Sequence, residues 1–265
     1  MAELVDFSWI DQNEDDPALV IVDSRPPIKY LQGHIPRAVN LPTSRVFDRG
    51  TLELLPVERL ARIVGDAGID EDRVVLVYDD RDGQNEAMLA WTLELLGHPR
   101  VKLLSSFMER WTKEKRPISY RPTKLEPGAM REKPTLDVRA TLEEVSNRNE
   151  VRLVDLRSLD EFEGKSSDGP QSRHFSGALS LPWTNLLGEE DQLFRPRSQL
   201  EASFTELGLS PDDQVVTYCS YGPRAAIGYF ALRQLGFKRV KVYDKSFQRW
   251  TTRASLSLDN CMSLI

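Results

Sequence analysis

The chain has 265 residues, 40% apolar and 29% charged, which suits a protein with buried cores and length for two ordinary domains. Its net charge of -6 and pI of about 5.3 argue against nucleic acid or an anionic membrane surface as a partner. No apolar run approaches the roughly 20 residues of a membrane span. The start, Met1 to Asp6, has neither a basic nor an apolar leader, and two cysteines make no disulfide framework, so a cytoplasmic location is expected.

In chain order, the first apolar run is Leu19-Val20-Ile21-Val22, closed by Asp23-Ser24-Arg25. Next come Gly33-His34-Ile35-Pro36-Arg37-Ala38-Val39-Asn40-Leu41-Pro42, the strand-like Val74 to Tyr78, Leu96-Gly97-His98 and Trp111. Lys113 to Pro134 is rich in Lys, Arg, Glu and Pro, has no apolar period, and reads as a surface linker. The same series then recurs. Val151 to Arg157 repeats the Asp-x-Arg strand 132 positions on, and Arg173 to Pro182 repeats the His segment at 140. The eight added residues fall in the region of the polar stretch from Lys165 to Pro170. A strand ending at Tyr218 matches at 140, and Leu235-Gly236-Phe237 and Trp250 match at 139. The chain is therefore read as a tandem duplication, with domains at 1–112 and 136–265 and a linker at 113–135.

Within the second copy, Arg197 to Leu207 is expected to be a helix and Gln214 to Tyr218 a buried strand. Beyond Arg224, the spacing of Ile227, Phe230, Ala231 and Leu235 predicts an amphipathic helix, and Val240 to Tyr243 a further strand. Alternating strands and helices predict an α/β fold in which each domain has a mainly parallel sheet flanked by helices on both faces. Ligands of such sheets bind beyond the carboxyl ends of the strands.

Cys219 falls at such an end. It opens Cys219-Ser220-Tyr221-Gly222-Pro223-Arg224 between a strand and a helix, where backbone N–H groups and the helix dipole favour a thiolate or an anion bound to it. The N–H groups of Ser220, Tyr221, Gly222 and Arg224 would cradle the ligand, whereas Pro223 has none to offer. Gly222 reads as a turn residue. Ser220 and Tyr221 are read as pocket residues, or Tyr221 as a cover for the loop. Two readings stay open for Arg224: a planar fork for an anionic donor, or a solvated or ion-paired residue of the first helical turn. The equivalent position in the first copy is Asp79, a carboxylate in place of the thiol.

The two Asp-x-Arg strands, the His-x-x-x-Ala-x-x-Leu-Pro segment, the Tyr-Cys loop before a helix and the late Trp together resemble the rhodanese superfamily, specifically its two-domain sulfurtransferases. That resemblance implies two rhodanese-like domains, a silent N-terminal half, and a persulfide on Cys219. The implied donor is small, with thiosulfate ahead of 3-mercaptopyruvate. The implied acceptor is cyanide or a thiol, either small or on a thioredoxin-like protein. Phosphatases sharing the fold place five residues between Cys and Arg; the four here suit a single sulfur rather than phosphate.

The departures from the family pattern are specific. Ser220-Tyr221 is neither the basic pair of thiosulfate enzymes nor the Gly-Ser of mercaptopyruvate enzymes. Glu161, beside Asp160, stands where the family has a substrate arginine, and Arg173 replaces the Gly before His174 as an anion contact. A carboxylate there would repel an anionic donor. The alternative function is therefore a sulfur-carrier or binding module loaded by a partner protein. Asp155 and Arg157, like Asp23 and Arg25, recur in the half without a nucleophile and are read as structural; His34 and His174 are set aside as bases for the same reason. Cys261 near the end of the chain is read as incidental, with a resolving role as the other option. No cofactor or metal is expected, and a monomer suffices.

Overall fold

The computed structural model describes residues 2–131, 133–147, 150–165 and 174–245. The chain divides into two compact units, one running to Val138 and including Leu187–Arg195, the other Arg139–Leu186 with the chain from Pro196 onward. Residues 187–195 come from the stretch read as the second domain, yet they pack within the first unit. The Phe107 N–H donates to the Asp191 carbonyl at 3.0 Å and the Leu193 N–H to the Ser105 carbonyl at 2.8 Å. Nothing local in sequence encodes those partners.

The first unit carries β1 (Glu3–Val5), α1 (Phe7–Asn13), β2 (Leu19–Asp23), α2 (Pro27–Leu31), β3 (Val39–Asn40), α3 (Val57–Asp66), β4 (Val74–Tyr78), α4 (Gln84–Leu95), β5 (Val101–Leu104) and α5 (Met108–Lys113). Its sheet has the order β1-β5-β4-β2-β3, all parallel. Alternation across the pleat divides the core between the two faces. Leu19, Ile21, Leu76 and Tyr78 meet Phe7 and Ile10 of α1 and Met108 and Trp111 of α5, while α4 packs behind β4 and β5.

The second unit repeats the plan with α6 (Leu142–Ser146), β6 (Arg152–Asp155), α7 (Leu159–Phe162), β7 (Leu179–Ser180), α8 (Arg197–Glu206), β8 (Gln214–Tyr218), α9 (Pro223–Gln234) and β9 (Arg239–Tyr243). Its parallel sheet runs β7-β6-β8-β9, the counterpart of β3-β2-β4-β5. The Leu-Gly pairs end α4 and α9 alike. Gly97 and Gly236 take φ of 81° and 93°, which lets the His98 and Phe237 N–H groups close back on the Leu93 and Leu232 carbonyls. The Trp250 match lies outside the described residues.

The 113–135 stretch departs from a plain surface linker. Lys113 still belongs to α5, and the strap beyond it is bound to the first unit. His34 and Ser119 exchange backbone hydrogen bonds at 3.0 and 2.9 Å, and the Gly128 N–H donates to the Gly65 carbonyl at 2.9 Å. A Cβ on Gly65 would lie 2.6 Å from the Gly128 carbonyl oxygen, so glycine is what permits the close approach. Without an apolar period, such main-chain docking leaves little trace in composition.

Candidate active site

Adjacent strands β6 and β8 end in register, with Asp155 beside Tyr218, one residue before Cys219. Asp155 is fully buried and is gripped by Arg157. The Arg157 N–H donates to Oδ1 at 2.9 Å, Nε at 3.0 Å, and a terminal nitrogen to Oδ2 at 2.6 Å. Burial, together with the Asp155 charge and hydrogen bond, pushes the Tyr218 hydroxyl well above its usual range, so it stays a donor. Tyr78, Asp23 and Arg25 build the same brace in the first unit, with the Tyr78 hydroxyl 2.6 Å from Asp23 Oδ2. These side chains set the ends of the strands. His34 and His174 stack at 3.8 Å on Tyr30 and Phe162 and bond those residues' carbonyls, which places them in helix closure.

Cys219 is 1% exposed at the end of β8. Gly222, at φ 106°, turns the loop so that its own N–H points at Cys219 Sγ, 3.1 Å away. Pro223 then starts α9 at a position where its missing N–H costs nothing. Arg224 follows in the first turn, where a cation opposes the helix dipole. Its counterweight is Glu161 of α7: terminal nitrogens of Arg224 meet Oε2 at 2.6 Å and Oε1 at 3.0 Å. Ser220 completes the cluster, with its hydroxyl 2.9 Å from Arg224 Nη2 and 3.1 Å from Glu161 Oε1.

Burial opposes ionisation of Glu161, but the hydrogen bonds from Arg224 and Ser158 outweigh it and draw the carboxyl down to about 2. Burial also opposes the Arg224 charge. Hydrogen bonding to Glu161, with the charges of Cys219 and Glu161, keeps the guanidinium firmly protonated. Arg224 therefore stands ion-paired in the first turn of α9, facing the cysteine sulfur. Tyr221 is half-buried at the loop's edge. Arg173 and Cys261 lie outside the described residues. Sequence reasoning singled out Glu161 as a misplaced charge and missed that Arg224 takes it up, because 63 residues separate the two.

The first unit's counterpart loop runs from Asp79 to Gly83, one residue longer than Cys219 to Gly222. Asp79 Oδ1 and Oδ2 accept the N–H groups of Asp80 and Asn85 at 2.8 and 3.0 Å, so a carboxylate already fills the cradle. Among the described residues there is no cluster of His, Cys, Asp or Glu that could hold a metal ion. Nor, among them, is any helix long and apolar enough to cross a membrane.

Comparison with known proteins adds three findings. A rhodanese-like domain model matches residues 6–114 and again 138–253. A thiosulfate sulfurtransferase of Corynebacterium glutamicum is 30% identical over 97% of this chain and 90% of its own, and the sulfur carrier protein TtuD of Thermus thermophilus is 30% identical over 93% of each. The crystal structure of SseA from Escherichia coli, described among 3-mercaptopyruvate sulfotransferases, matches with a TM-score of 0.82 at 24% identity, covering 92% of this chain and 98% of that one.

Proposed function

We propose, from the premise that this chain belongs to the rhodanese-like family, that it is a sulfurtransferase working through a persulfide on Cys219. The observation that carries this reading is the Gly222 N–H aimed at the buried Cys219 sulfur at the junction of β8 and α9. A donor there places a negative charge on sulfur where an amide and a helix N-terminus stabilise it.

With thiosulfate as donor, the Cys219 thiolate attacks the outer sulfur. The new Cys219 S–S bond forms as the donor's S–S bond breaks, and sulfite departs with the electron pair. An acceptor thiolate or cyanide then attacks the outer sulfur, and the bonding pair returns to Cys219. Splitting the transfer this way needs no general base. It also explains why the histidines can be spent on structure. Steady-state rates at several fixed thiosulfate and cyanide concentrations should give the parallel double-reciprocal lines of a ping-pong reaction, and Cys219→Ser should show no turnover above background. Intersecting lines would point to a ternary complex instead.

A second reading has a specific observation behind it. The Glu161–Arg224 pair leaves the loop without an unpaired guanidinium, which suits a carrier that receives sulfur from a partner protein's persulfide. The similarity to TtuD supports it. Rapid loading by a persulfidated protein, with slow turnover of thiosulfate, would select this reading.

A further inference from the structure

Arg224 offers the Cys219 loop a planar fork that could clasp the oxygens of a sulfonate or carboxylate. In the structure both limbs of that fork are already taken, by the two oxygens of Glu161 at 2.6 and 3.0 Å. The pair is not a surface accident: its side chains are 20% and 18% exposed, and Ser220 bridges them. Glu161 is also anchored from behind. It is the N3 residue of α7, and Oε2 accepts the Ser158 N–H and hydroxyl at 3.0 Å each in a capping box. Swinging it aside would therefore break the helix cap together with the ion pair. Arg157, the neighbouring guanidinium, is committed to Asp155.

We propose that Glu161 is a specificity-determining residue, an internal carboxylate that occupies the Arg224 fork and disfavours donors carrying an anionic head next to the transferable sulfur. The proposal rests on the sulfurtransferase reading and sharpens it. A sulfonate or carboxylate donor must exchange with a tethered carboxylate, whereas a persulfide with no charged group beside the outer sulfur has no such competitor. Charge alone makes the distinction, so it holds for thiosulfate and 3-mercaptopyruvate alike.

The test is calorimetric titration of thiosulfate into the full chain carrying Cys219→Ser, which cannot accept sulfur, with and without Glu161→Gln. Glutamine can still serve in the capping box, and Glu161→Ala provides a second variant independent of that cap. Freeing the fork should tighten thiosulfate binding about tenfold or more, the scale of a charge-assisted hydrogen bond. The gain should vanish when Arg224→Gln is added. Equal affinity with and without Glu161, undetectable binding in every variant, or a gain that survives Arg224→Gln would each overturn the proposal. The titration needs no turnover, so a failure of the persulfide reading, seen as an absence of sulfur on the wild-type protein, remains separate from a failure here.

Discussion

Around Cys219 a few side chains each do one physical task. Arg157 compensates a carboxylate that has no water around it, and that carboxylate in turn orients the tyrosine preceding the cysteine. Replacing Arg157 by Leu would strand Asp155, which is fully buried, as an uncompensated charge, at a cost of about 3–5 kcal/mol. Urea denaturation of the full chain should show a loss of unfolding free energy of that size as a lower midpoint, and an unchanged midpoint would mean that the pair is dispensable. Asp155 and Arg157 were legible in the sequence because they recur in both halves. The tyrosine's part was not, since it depends on the register between β6 and β8, which no local pattern states. The Glu161 contact escaped for the same reason: its meaning resides in a residue on another element.

At the scale of elements, the period-two and helical patterns located β8, α8 and β9 closely, because apolar faces must match the sheet and its covering helices. The start of α9 shows less plainly in the apolar pattern. Pro223 marks it, and the apolar stripe begins only afterwards. What no pattern announced is how closely α9 approaches the sheet. A Cβ on Gly228 would lie 2.9–3.0 Å from Leu156, a residue with no exposed surface, so the missing side chain sets the depth of the helix behind the loop. Gly228→Val should force α9 outward, destabilise the second unit by about 1–3 kcal/mol through overpacking, and slow sulfur transfer through displacement of the Gly222 N–H. Thermal unfolding monitored alongside steady-state rates would reveal both effects; wild-type values in each would show that the close fit is not required.

Across the whole molecule, the duplication has kept the braces and exchanged the chemistry. In the first unit Asp79 fills the loop, and beside it Glu86 is fully buried. Burial, with the Asp79 charge second, pushes Glu86 well above the usual carboxylate range, and burial brings Asp79 up to about 6. A raised carboxyl binds its proton more tightly folded than unfolded, so its stabilisation is complete below about pH 4 and is lost as pH rises through about 6. Asp79 alone should therefore lower stability by about 3 kcal/mol between those limits. Denaturation of the wild type and Asp79→Asn across this range checks it: the variant should show a flatter profile, and identical slopes would contradict the account. The repeat was readable in the sequence from its fixed spacing. The exchange of 187–195 into the first unit was not, because its partners Ser105 and Phe107 lie far away along the chain.

The most direct measurement is the intact mass of the reduced protein after incubation with thiosulfate, with 3-mercaptopyruvate, and with a persulfidated donor protein, comparing wild type with Cys219→Ser. Gain of one sulfur atom by the wild type alone is the predicted result, and the donor that loads it separates enzyme from carrier. A gain that persists in Cys219→Ser, or none from any of the three donors, would contradict a persulfide on Cys219.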